Sequence, residues 1–155
     1  MERKKRSAET LRKASDHLHY EIWMFMTVAR SMATGVYGQG ALNNAMLESF
    51  TIHARVLLDF FYSKRPQKDD VIAEDFFNEP AEWHNIRPEM TEILKKLNKR
   101  VGKEVAHLTY ARQDITPEDK QWYLNQIAED MSVVVNKFLA NLPRELLGPR
   151  WNAAL

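Results

Sequence analysis

Three ionisable side chains near the middle of the chain's second half could do chemistry together. At 100° per residue, Arg100, Glu104 and His107 fall within about 60° of one another on a helix, flanking an apolar stripe rather than opposing it. An arginine two turns ahead of a histidine sets a permanent cation beside an imidazole. The guanidinium can hold a phosphate, and its charge lowers the imidazole's pKa so that the ring can act as a base near neutrality. The purely structural role for the same residues is an Arg100 to Glu104 pair on the helix, with His107 half-buried beside it. Arg112 projects toward the same stripe near its end and is a supporting candidate. Spacing alone does not single this motif out, because Arg12 and His17 satisfy it too.

A second group lies earlier. His53 falls between Met46, Phe50, Leu57 and Phe60, inside an apolar stripe, where it is either a neutral core imidazole bonded to another helix or part of a site. Glu48, Arg55 and Asp59 stack nearly opposite at spacings of seven and four. Such a ridge is either a solvated face, adding a few tenths of a kcal/mol, or a subunit interface. A third chemistry is a di-metal carboxylate site, which a bundle builds from two lone glutamates and two Glu-x-x-His pairs. Glu104 and His107 make one pair, and Glu21 and Glu48 could be the lone carboxylates. The second pair is missing, since Asp16 and His19 imitate it but point off their helix's stripe.

Positioning these groups requires helices. Leu11, Ala14, Leu18, Ile22, Phe25, Ala29 and Met32 recur at spacings of three and four, which predicts a helix over 8–33, stopped by the glycines of GVYGQG. Leu42, Met46, Phe50, Leu57 and Phe60 predict a second over 41–62, ending before Pro66. The stretch 65–87 reads as an ordered crossover with one short helix within 70–78 and with Val71, Ile72, Phe76, Phe77 and Trp83 able to pack down. A third helix is expected over 88–112, from Pro88 through Ile93, Leu94, Leu97, Val101, Val105 and Leu108. A fourth is expected over 117–142, capped by Thr116, with the stripe Leu124, Ile127, Met131, Val134, Val135, Phe138 and Leu142. The residues after Pro143 read as a partly docked tail. Four such stripes bury most simply against one another, so the expected fold is an all-α single domain over 1–155, a four-helix bundle with a long crossover between helices two and three.

Composition narrows the partners. A net charge of +1 supplies no strong field for nucleic acid or membrane, and the basic run Arg3, Lys4, Lys5, Arg6 is an ordinary solvated tail. With no cysteine, disulfides, thiolate metal sites and a cysteine nucleophile are excluded, which suits a reducing cytoplasm. No uncharged run approaches the roughly 18 residues of a membrane span, and no apolar segment follows the N-terminal charges as an export signal would require.

The segment LNKRVGKEVAHLTYAR, with Arg100 and His107, resembles the Arg-x4-6-His region of the HEPN superfamily, helical domains named for higher eukaryotes and prokaryotes nucleotide-binding. HLHYEIWMF and LESFTIHARVLLDFF resemble the first two helices of small bacterial proteins of that general kind. The resemblance implies a homodimer in which two Arg/His motifs meet and a ligand that is RNA or a nucleotide. It further implies a metal-independent endoribonuclease of toxin or defence type, with no cofactor and with an antitoxin-like protein as partner, or a relative that has lost catalysis. Carried over residue by residue, Arg100 stabilises the scissile phosphate and His107 is the general acid or base, with attack coming from the RNA 2′-hydroxyl. Val101 departs from the pattern, standing where active members commonly carry a polar residue. The rival from another class is a non-catalytic helical interaction protein in which these residues organise only the core or a dimer seam.

Overall fold

The two long periodic segments at the start of the chain form helices with the bounds their sequence predicts. In a computed structural model, which describes residues 5–106, 109–116 and 120–152, α1 is Ala8–Ala33 and α2 is Ala41–Tyr62. The Ser7 hydroxyl accepts the Thr10 N–H and so caps the start of α1, and Glu9 in the first turn opposes the helix dipole. Gly35, at φ 69°, ends it in a left-handed conformation that a side chain would strain. Three more α-helices follow: α3 (Pro80–Ile86), α4 (Glu92–Arg100) and α5 (Leu124–Asn141). Among the described residues the secondary structure is entirely helical, with no strand.

Three expectations are corrected. The third helix is α-helical only over Glu92–Arg100: Thr91, not Pro88, caps it, accepting the Leu94 N–H. The chain then passes into a π-helical stretch, Val101–Ala106, and later a 3₁₀ turn, Tyr110–Asp114. The fourth helix begins at Leu124, not 117, and residues 120–123 lie outside it; Pro117, Glu118 and Asp119 are beyond the described residues. The crossover holds two short helical pieces. A 3₁₀ turn, Ala73–Phe76, occupies the expected place, and α3 adds a second, whose Pro80 needs no N–H in the first turn and whose Glu82 carboxylate accepts the Glu79 N–H at 3.0 Å.

The packing divides into two compact units. The first takes the chain up to Trp23, Val56–Pro88 and Val133 onward. Its centre is Phe138 of α5, whose ring meets Phe60 at 5.3 Å, Phe61 and Phe76 at 5.6 Å, Trp83 at 5.5 Å and Phe77 at 6.0 Å, all but the last two from α2 and the Ala73–Phe76 turn. Most of these contacts are edge-to-face, the arrangement ring quadrupoles prefer. The crossover is ordered because its apolar residues supply this cluster. The fully buried Trp83 donates its indole N–H to the Phe61 carbonyl at 3.1 Å, an oxygen that Arg87 also reaches at 2.9 Å.

The second unit comprises Met24–Arg55 and Glu89–Ser132. Phe25 and Phe50 stack at 4.9 Å, and Leu94, Leu97 and Val101 on one side and Ile127 and Met131 on another are buried. Thr91 donates to Asp130 at 2.5 Å, tying the start of α4 to α5. No helix among the described residues is long and apolar enough to cross a membrane.

Candidate functional site

Arg100 is the last residue of α4, and the change to π-helical hydrogen bonding begins at the next position. Its guanidinium lies side-on to Glu104: Nε is 2.9 Å from both carboxylate oxygens and Nη2 is 2.8 Å from Oε2. On the other edge Nη1 donates to the Gln121 carbonyl at 2.9 Å. The Trp122 ring covers one face, 3.8 Å from Cζ, a close cation–π contact. The Arg100 side chain is 11% exposed and that of Glu104 20%. Despite its nearness to Oε2, Nη2 is a buried donor whose angles make no hydrogen bond.

Gly102 lies one residue into the π-helical stretch, and there α2 approaches it. A Cβ at this glycine would sit 3.7 Å from Nη1 of Arg55. Arg55 is half-buried with its guanidinium over the π-helical turn rather than on a fully solvated face, one of the two readings its spacing allows. Two guanidinium groups, from α2 and from the end of α4, thus lie against one six-residue segment. Beside Trp122 an open hollow of about 330 Å³ is lined by Ala33, Trp122, Tyr123, Leu124, Asn125 and Gln126.

The other candidates are dispersed. His107 lies outside the described residues, as does Leu108. Arg112 is not on the α4 stripe. The helix expected to carry it ends at the π-helical turn, and Arg112 stands exposed on the 3₁₀ turn, its Nη2 donating to the Val105 carbonyl at 3.2 Å. His53 is half-buried, at the edge of a stripe whose buried members are Phe50, Ala54, Leu57, Leu58 and Phe61. Glu48 is exposed. Of the di-metal set, Glu104 is committed to Arg100, and no three His, Cys, Asp or Glu side chains gather among the described residues to hold an ion. Asp16 and His19 serve instead as a seat for the C-terminal segment.

Sequence reasoning missed Gly102, Gln121 and Trp122 as parts of the site. A glycine within a helical pattern was the available signal, since it weakens the helix and marks close approach of another group. The partners of Arg100 at 121 and 122 carried no such signal. Comparison of the chain with protein-family models, with curated proteins and with solved structures finds no match.

Proposed function

We propose that the chain is a HEPN-like four-helix bundle of the cytoplasm that engages RNA or nucleotide at the π-helical turn and, through His107, cleaves RNA without a metal. The observation that carries this reading is the placement of two guanidinium groups on that turn, Arg100 at its start and Arg55 over Gly102. Guanidinium is the side chain best shaped to fork onto phosphate oxygens, and holding two on one short segment suits a phosphodiester. π-Helical turns account for well under 1% of residues and are frequent at functional sites. Nη2 of Arg100 is buried beside Glu104 Oε2 at an angle that makes no hydrogen bond, so the ion pair leaves this N–H direction to a phosphate oxygen. Glu104 orients Arg100, and the hollow walled by Trp122 and Tyr123 offers a ring on which a base can stack.

In the proposed reaction the 2′-oxygen bonds to phosphorus and the bond to the 5′-oxygen breaks. One proton leaves the 2′-hydroxyl, another reaches the departing oxygen, and His107 handles a proton while Arg100 takes up charge on the phosphoryl oxygens. The test incubates chelator-treated protein with mixed RNA beside a His107→Ala variant. Wild type is expected to cleave, and the variant to be slower by about 10²–10⁴-fold. Equal cleavage by both, or by neither, sinks the ribonuclease reading.

A second reading, a non-catalytic interaction protein that pairs with a copy of itself or with another helical chain, is favoured by the outer face of α2. There Leu42, Ala45, Ser49 and Ile52 follow spacings of three and four, with Leu42 60% and Ile52 54% exposed. Such a seam is the pattern that helices bury against one another. Under this reading Ile52→Asp halves the solution mass or abolishes partner capture and leaves the RNA assay unmoved.

A further inference from the structure

Residues 144–152 fold back along α1. After α5 the chain makes a 3₁₀ turn, Arg144–Leu146, and a second, Pro149–Asn152. Between them the Gly148 N–H donates to the hydroxyl of the buried Ser15 at 2.8 Å, and that hydroxyl donates in turn to the Arg12 carbonyl at 2.7 Å. The Arg150 N–H reaches Asp16 Oδ1 at 3.1 Å, and the Trp151 indole N–H donates to the Ser15 carbonyl at 2.9 Å. Gly148 leaves room here for the Asp16 carboxylate. A Cβ at that position would collide with the Asp16 carboxylate, 2.5 Å from Cγ and 2.6 Å from Oδ2.

His19 sits under this segment. Its ring meets the Trp151 indole edge-on, with centroids 5.1 Å apart and planes at 87°. Nε2 is buried and has no hydrogen-bond partner. A neutral imidazole tolerates that position as an acceptor without a donor. An imidazolium would bring a charge and an N–H with no oxygen to receive it, which is far more costly to bury.

We propose that the C-terminal segment is an acid-released latch, held on α1 while His19 is neutral and loosened when His19 takes up a proton. The charged groups facing the ring are Asp16 on its own helix and Arg150 on the latch. Burial holds the His19 pKa below its ordinary value, the Arg150 charge adds to that, and Asp16 opposes both. An imidazole freed by opening titrates at its ordinary value, near 6.5, so the closed state binds fewer protons than the open one. The latch is therefore fully favoured above that pH and weakens as the pH falls through it. With the closed form unprotonated, the open population rises up to about tenfold between pH 7.5 and 5.5.

The test is amide hydrogen exchange of residues 143–152 in the full chain, corrected for intrinsic rates, with His19 ring titration followed by NMR. Wild type is expected to open more at pH 5.5 than at 7.5, by no more than about tenfold, while α5 stays protected. His19→Gln abolishes that pH dependence. Gly148→Ala opens the segment at both pH values and returns the His19 midpoint to its ordinary position. Exchange of wild type that does not change with pH, an unchanged pH response in His19→Gln, or the same His19 midpoint in wild type and Gly148→Ala would each overturn the latch.

Discussion

Replacing Glu104 with alanine removes the carboxylate from a guanidinium that is almost out of water. Arg100 is 11% exposed and keeps, after the change, one carbonyl at 2.9 Å and the face of Trp122. Breaking a fully buried ion pair by deleting one partner costs about 3–5 kcal/mol, because the remaining charge has lost its compensation. Glu104 is 20% exposed, so water can reach the vacated space, and the retained contacts of Arg100 soften the loss. About 3 kcal/mol is therefore expected, near the bottom of that range and roughly a hundredfold in the folded-to-unfolded ratio. Urea unfolding measures it directly: the midpoint drops with an unchanged slope. A companion variant carrying Arg100→Met and Glu104→Leu removes both charges and keeps the volume, and should fall close to wild type. A Glu104→Ala cost below about 0.5 kcal/mol would place the pair among solvent-screened surface bridges. A double variant as unstable as the sum of the single changes would show that the two residues do not act as a unit, and either result refutes the reasoning.

Two further outcomes test the packing of each unit. Phe138→Ala empties the centre of the aromatic cluster and should cost about 3–5 kcal/mol by thermal or urea unfolding, while Phe138→Leu should cost clearly less. Thr91→Ala removes both the cap on the Leu94 N–H and the bond to Asp130, so a loss of about 1–2 kcal/mol is expected, with Thr91→Ser restoring most of it; no loss would mean that the start of α4 is held by its buried leucines alone.

Where an element's signal was local and repeated, the sequence sufficed. α1 and α2 have the predicted bounds because long seams of apolar residues are closed by glycines on one side and by Pro66 beyond Ser63 on the other. α3 was legible and overlooked. Glu-Pro-Ala-Glu at 79–82 is a helix start, with proline at the first position and a glutamate reaching back to the cap N–H. The end of α4 was not legible. Leu94, Leu97, Val101 and Val105 keep a spacing of three and four through the change to i→i+5 bonding, so periodicity alone continues the helix where the backbone departs from it.

The site shows the same division between local and distant information. Arg100 and Glu104 are four apart, and their pairing follows from helical geometry, although the burial that makes the pair costly to break does not. For Arg55 its own helix shows only a ridge shared with Glu48 and Asp59, either solvated or covered, and only a second element decides which. That second element is the π-helical turn, where Gly102 faces the Arg55 guanidinium. Gly102→Ala adds a Cβ at ordinary contact distance from Arg55, so Arg55 can stay. Gly102→Leu fills the space the guanidinium occupies and must push it outward. If the two cations act together on phosphate, the leucine variant loses RNA cleavage while the alanine variant keeps it, and Arg100 still pairs with Glu104 in both. Equal cleavage by the two variants would mean that Arg55 lies over the turn for packing alone and takes no part in holding phosphate, leaving Arg100 as the cation of the site.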